Sequence, residues 1–168
     1  MKWMRPPKPL KEVTPEKVKS LFLNRLARAP QTRAGLASYS LKKEIPAEVF
    51  EPILDRFEEV GLINDEEFAA MWVRSRRNIR GSGPAALKRE LAQKGISADL
   101  IDLAVAERAG DDFDVAFDLA VRRLKSLGRY PVEKQRQRLL DFLVRRGYSF
   151  SIAWRCISEL RLEDQEND

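Results

Sequence analysis

The segment Leu87-x-x-x-Leu91-x-x-x-Gly95-Ile96 recurs later in the chain as Leu139-x-x-x-Leu143-x-x-x-Gly147-Tyr148. This internal repeat restricts the fold more than any other feature. Two apolar residues four apart share one face of a helix. A glycine then ends the helix in the left-handed conformation, and the next apolar residue packs back onto it. A serine and a further amphipathic helix follow each copy, from Ser97 and from Ser149. A weaker echo runs through Leu36, Ile45, Val49, Phe50 and Ile53, with Lys43-Glu44 where a Lys-Gly helix end is expected. Each unit is then three helices, about fifty residues long. One such unit buries too little surface to be stable alone, so stacking units end to end is the economical solution. No segment alternates apolar and polar residues for long. The expected fold is all-α, three tandem three-helix modules forming an elongated rod, straight or curved.

Caps and breakers set the boundaries. Residues 1–13 form a basic arm with Pro6, Pro7 and Pro9, which favour extended chain. The first module covers 14–61. Its first helix, capped by Thr14, is expected to bury Val18, Leu21, Phe22 and Leu26. Its second, capped by Thr32, turns Leu36, Tyr39 and Ser40 inward. Its third starts around Pro46 and ends at Gly61, although Pro52 argues for a later start or a kink. The second module covers 62–110 and closes at Gly110. The third covers 111–162, with Ala116, Phe117, Ala120, Leu139, Leu143, Ile152, Trp154 and Ile157 inward. Residues 163–168 are an acidic tail.

In the central segment, Asn64 and Glu67 have the spacing of a capping box, and Asp65, Glu66 and Glu67 suit the positive end of a helix dipole. Phe68, Trp72 and Ile79, with Met71 and Ser75 beside them, fall on one side of this helix. Arg74 and Arg77 point away, at about 100° per residue. Gly81-Ser82-Gly83-Pro84 reverses the chain into a helix that buries Leu87 and Leu91 and presents Lys88, Arg89 and Gln93. The product is a helical hairpin with an apolar inside and a basic outside.

The chemistry available is narrow. The chain has no histidine, which removes the commonest general base and the commonest metal ligand. Gly81-x-Gly83 is too short for a phosphate-cradling loop. Asp111, Asp112 and Asp114 stand at a helix start, where acidic residues complement the dipole, so they read as caps and not as a metal site. The one cysteine, Cys156, sits among Ile152, Ala153 and Ile157 and reads as a buried apolar residue; it excludes an intrachain disulfide. No cofactor and no catalytic residue is expected, and the chain reads as a non-enzyme. There is no signal peptide and no membrane-spanning run, so the expected location is the cytoplasm. Nothing resembles a dimer seam, and the chain reads as a monomer.

What remains is basic surface. There are 31 Lys and Arg against 26 Asp and Glu, a formal net charge of +5, which favours nucleic acid or a nucleoprotein as partner. The hairpin contributes Arg74, Arg77, Lys88, Arg89 and Lys94. A second basic region holds Arg122, Arg123, Lys125, Arg129, Lys134, Arg136, Arg138, Arg145 and Arg146. The candidate contacts are Arg74, Arg77, Lys88, Arg89, Lys94, Arg145 and Arg146. Trp72, Phe68 and Phe117 read as core and not as base-stacking platforms.

The run Leu62-Ile63-Asn64-Asp65-Glu66-Glu67-Phe68, then Val73-Arg74-Ser75-Arg76, Gly83-Pro84, Leu87-Lys88-Arg89-Glu90-Leu91 and Gln93-Lys94-Gly95-Ile96 resembles the central motif of the RecX family. The likeness extends from Thr14 to Leu160 and is weakest in the first module. Members of that family regulate the bacterial recombinase RecA. The resemblance implies a rod lying along the RecA filament on single-stranded DNA; whether it also makes weak direct DNA contact stays open. It also implies lower filament extension, ATPase, strand exchange and coprotease activity, in DNA repair and the SOS response. Arg74, Arg77, Lys88 and Arg89 match basic positions of the family motif. Two other readings stay open: an autonomous DNA-binding protein using Asn64–Lys94 as a helix-turn-helix, and a helical scaffold for another protein.

Overall fold

The computed structural model describes residues 13–107 and 109–160. The basic arm, apart from Val13, and the acidic tail lie outside the described residues. Among those described there are nine α-helices and no strand. They form three three-helix modules, each around its own apolar core. The first module is one compact unit, to Asn64; the second and third together make another, from Asp65.

The first unit holds α1 (Pro15–Leu26), α2 (Arg33–Lys42) and α3 (Ala47–Glu59). Thr14 Oγ1 accepts from the Lys17 amide and Thr32 Oγ1 from the Gly35 amide, so hydroxyls satisfy first-turn donors in both helices. Val18, Phe22, Leu36, Ile45, Phe50, Leu54, Phe57 and Ile63 form the core. Leu21, expected inward, is exposed: from α1, Val18 and Phe22 are buried in this core and Leu26 packs against it. Arg33 ties α2 to α3 by ion pairs to Glu51, Asp55 and Glu58 at 2.6, 2.7 and 2.6 Å. Glu44 takes the left-handed position, φ 57°, that glycine fills in the other repeats. The helix does not start later on account of Pro52, which lies inside α3. Pro52 and Glu48 are both exposed, so the Glu48 carbonyl that Pro52 cannot bond is left to water and not to the core.

The second unit begins with α4 (Asp65–Arg80), α5 (Pro84–Gln93) and α6 (Ala98–Ala106). Phe68, Ala69, Val73, Leu87, Leu91, Ile96, Ile101, Ala104 and Val105 are its buried core. Gly95 has φ 77° and the Ile96 amide donates to the Leu91 carbonyl at 3.2 Å, the helix end anticipated from the repeat. Ile79 is 76% exposed and not inward: the buried face of α4 runs through Ala69, Val73 and Arg77. The α6 helix ends at Ala106, before Gly110, which lies in a short 3-10 turn, Ala109–Asp111.

The unit continues with α7 (Asp112–Leu124), α8 (Val132–Arg145) and α9 (Phe150–Glu159) around Ala116, Ala120, Leu127, Leu139, Leu143, Tyr148, Ala153, Cys156 and Ile157. Cys156 is fully buried, and burial pushes its thiol up to about 11. Trp154 is 53% exposed, stacked on the exposed Phe150, and not in the core. The inner face of α9 uses the small residues Ala153 and Cys156 with Ile157, which lets α9 approach α7 and α8 closely.

The second and third modules join where the hairpin turn, Gly81 to Gly83, meets the repeat glycine Gly147. The Gly83 amide donates to the Arg146 carbonyl at 2.7 Å and the Ala85 amide to the Gly147 carbonyl at 3.0 Å. Tyr148 Oη donates to the Gly81 carbonyl at 3.1 Å. A Cβ on Gly83 would stand 2.6 Å from the Gly147 carbonyl carbon. Two helix ends therefore meet backbone to backbone, which only residues without side chains permit.

Candidate partner-binding surface

The structure separates the seven expected contact residues. Arg74, Arg89 and Arg145 are exposed and make no ion pair or hydrogen bond among the described residues. Lys88 is also exposed, though its Nζ lies 2.6 Å from Asp102 Oδ1. Both of those side chains are half or more in water, so the pair constrains Lys88 little.

The other three are engaged within the protein. Arg77 does not point outward. It is 6% exposed and forms a buried ion pair with Asp112, at the start of α7. The long α4 helix touches two neighbours here. Its first turns fill the second module's own core, and near its end Arg77 alone turns inward, towards the third module. Burial pushes the Asp112 carboxyl up, against the pull of the Arg77 guanidinium. Asp112 is thus a structural partner as well as a first-turn residue. Among the described residues no group of three His, Cys, Asp or Glu side chains is placed to hold a metal.

Arg146 is half-buried: its Nη1 donates to the Arg80 carbonyl, and its guanidinium lies 5.1 Å from the Phe142 ring centroid. Lys94 Nζ lies 4.9 Å from the Trp72 centroid, and the Arg76 guanidinium 4.2 Å from the same ring. Trp72 Nε1 donates to Glu90 Oε2 at 3.0 Å, and Arg76 Nε sits 3.1 Å from that oxygen. These four side chains hold α4 against α5. The turn between those helices is buried at Gly81, Ser82 and Gly83 under the third module. The hairpin is therefore one part of a larger packed unit, with Lys88 and Arg89 on α5 still exposed.

A further basic surface, absent from the seven expected contacts, lies where the end of α7 and the following turn meet α8. The Tyr130 ring has Arg129 at 5.0 Å, Lys134 at 5.5 Å and Arg138 at 4.3 Å from its centroid. Phe142 has Arg123 at 5.6 Å besides Arg146. The signal is present in the sequence as Tyr130, Lys134, Arg138 and Phe142, spaced by four. Total charge over the region conceals that spacing.

Comparison with known proteins agrees with this architecture. Residues 64–105 match the RecX second three-helix domain, and residues 110–157 the RecX third three-helix domain. The chain is 41% identical over 153 residues to the regulatory protein RecX of Streptomyces coelicolor, covering 90% of this chain and 81% of that one. It is 40% identical over 154 residues to the regulatory protein RecX of Thermobifida fusca, covering 90% and 83%. A crystal structure of regulatory protein RecX superposes with a TM-score of 0.77 at 27% identity, over 86% of this chain and 71% of that one. The crystal structure of RecX from Lactobacillus salivarius gives a TM-score of 0.80 at 23% identity, over 89% and 97%, a likeness of fold. Among the described residues, no helix is long and apolar enough to cross a membrane.

Proposed function

The chain belongs to the RecX family, and we propose on that basis that it is a non-catalytic inhibitor of the RecA recombinase. It binds the RecA filament on single-stranded DNA, as a monomer in the cytoplasm, and bridges protomers of that filament. Filament extension, ATP hydrolysis, strand exchange and coprotease activity fall as a result, which places the protein in DNA repair, recombination and the SOS response. Several weak contacts on one chain bind a polymer more tightly than any one of them, because the later contacts form at high effective concentration.

The observation that supports contact through α4, α5 and α8 is the set of cations left unneutralised there: Arg74, Arg89 and Arg145, with the loosely paired Lys88. Arg77 is excluded from that set by its burial. Replacing Arg74, Lys88, Arg89 and Arg145 together by Ala is expected to weaken co-sedimentation with RecA filaments at least about tenfold, or about 1.4 kcal/mol. Helicity by circular dichroism should stay unchanged. Full binding by the folded variant would remove these residues from the interface.

A further inference from the structure

We propose that the stacked pair Phe150 and Trp154 on α9 is the apolar anchor by which the third module grips a RecA protomer, filling an apolar pocket of that protein. This rests on the RecA reading above and adds to it the kind of contact and its place.

The repeat shows that these two rings are not needed for packing. Counted from Ile45, Ile96 and Tyr148, the apolar residues after each helix end, the second and sixth positions onward are Ala47 and Glu51, Ala98 and Asp102, and Phe150 and Trp154. Five of these six residues are exposed and Glu51 is half-buried, so the fold puts this slot at the surface in every module. In the first two modules it holds a small residue and an acid. The acid pairs within its own module, Glu51 with Arg33 at 2.6 Å and Asp102 with Lys88 at 2.6 Å. In the third module the slot holds two large rings, 63% and 53% exposed, while the core closes beneath them with Ala153, Cys156 and Ile157. The ring centroids are 6.2 Å apart with an interplanar angle of 5°. Each ring restrains the other, so little rotamer freedom remains to be lost on binding.

The surroundings favour a protein over a nucleic acid. Arg155, the cation next to Trp154, is held twice: its Nε lies 3.0 Å from Glu159 Oε1, and its guanidinium 3.9 Å from the Phe113 ring centroid. The other cations stacked on rings of this module lie on Tyr130 and Phe142, and among the described residues none lies on Phe150 or Trp154. Ser151 and Ser158, exposed on the same helix, are neutral. An aromatic centre with an uncharged polar rim is the make-up of a protein hot spot. A nucleic-acid strand needs cations beside its stacking rings.

A second copy of this chain fits less well. Two aromatic side chains supply about 300–500 Å² between them when fully covered, and these two are partly buried already. A stable interface takes about 800 Å² from each partner. The pair therefore suits one anchor among several dispersed contacts, with Arg74, Arg89 and Arg145 as others, which is how a chain bridging filament protomers binds.

The test is co-sedimentation of the full chain with RecA filaments on single-stranded DNA, across a salt series. Phe150→Ala/Trp154→Asp installs the residues that the second module carries in the same slot, and Phe150→Ala/Trp154→Ala removes the rings without adding charge. Circular dichroism and urea unfolding check that both are folded. Each should bind filaments at least about thirtyfold more weakly than wild type, the loss expected on truncating an aromatic anchor. For the Ala variant that ratio should persist as salt rises, because salt does not screen apolar burial. The variant lacking Arg74, Lys88, Arg89 and Arg145 should instead approach wild type at high salt. Wild-type binding that neither ring variant weakens overturns the anchor and leaves the RecA reading standing; wild type that does not bind filaments overturns both. An equal loss of affinity for bare oligothymidylate would assign the rings to base stacking. A wild-type dimer in sedimentation equilibrium that the variants abolish would assign them to a second copy. Either result overturns the RecA contact.

Discussion

Asp112→Ala is expected to destabilise the protein by about 3–5 kcal/mol, the cost of leaving one member of a buried ion pair without its partner. The Arg77 and Asp112 side chains are 5% and 10% exposed, and Arg77 Nη1 has no hydrogen-bond partner among the described residues. Removing the carboxylate strands a guanidinium that is already incompletely satisfied. Urea unfolding followed by circular dichroism measures the loss. The double replacement Arg77→Met/Asp112→Leu should recover most of it, because two apolar side chains of similar volume remove both desolvation penalties. Lys88→Ala, which breaks an exposed pair, should cost less than about 1 kcal/mol. A loss of under about 1 kcal/mol for Asp112→Ala would show that water reaches the pair and that it does not brace the two modules.

Gly147→Ala is expected to cost at least about 3 kcal/mol. Two effects combine at this residue. Its φ of 93° lies in the region that L side chains avoid, at about 1–2 kcal/mol. Its new methyl would also stand 2.6 Å from the Ala86 Cβ and closer still to the Ala86 backbone. Overpacking of this kind adds about 1–3 kcal/mol. Gly61→Ala separates the two effects, because Gly61 has φ 72° but nothing within 4 Å of the place a methyl would take. It should cost only the backbone part. Thermal and urea unfolding of the two variants check the difference. Equal losses would mean that the helix ends separate cheaply, and that the close approach of Gly83 and Gly147 is not what fixes the second and third modules together.

Much of this arrangement is legible in the sequence because it is local. Gly95-Ile96 and Gly147-Tyr148 announce helix ends within a few residues, and Leu87, Leu91, Leu139 and Leu143 announce one buried face each. Thr14 and Thr32 mark helix starts by the same short-range chemistry. What is not legible depends on neighbours distant in sequence. Arg77 reads as surface because its partner, Asp112, is 35 residues away. Ile79 and Trp154 read as core because apolar character suggests an inward direction. The packing instead follows Ala69, Val73 and Arg77 on α4, and Ala153, Cys156 and Ile157 on α9. Glu44 shows the limit of a motif read letter by letter: the left-handed turn persists in the first module where the glycine does not. The candidate surface is the least legible part. Whether a cation is free depends on which carboxylates the fold brings to it, as Lys88 with Asp102 and Arg76 with Glu90 show.

The most direct test of RecA inhibition is the RecA ATPase rate on single-stranded DNA, with this protein titrated from well below one copy per RecA. Inhibition of a filament predicts a fall in rate at substoichiometric protein, since one bound chain affects more than one protomer. An unchanged rate at equimolar protein would contradict it.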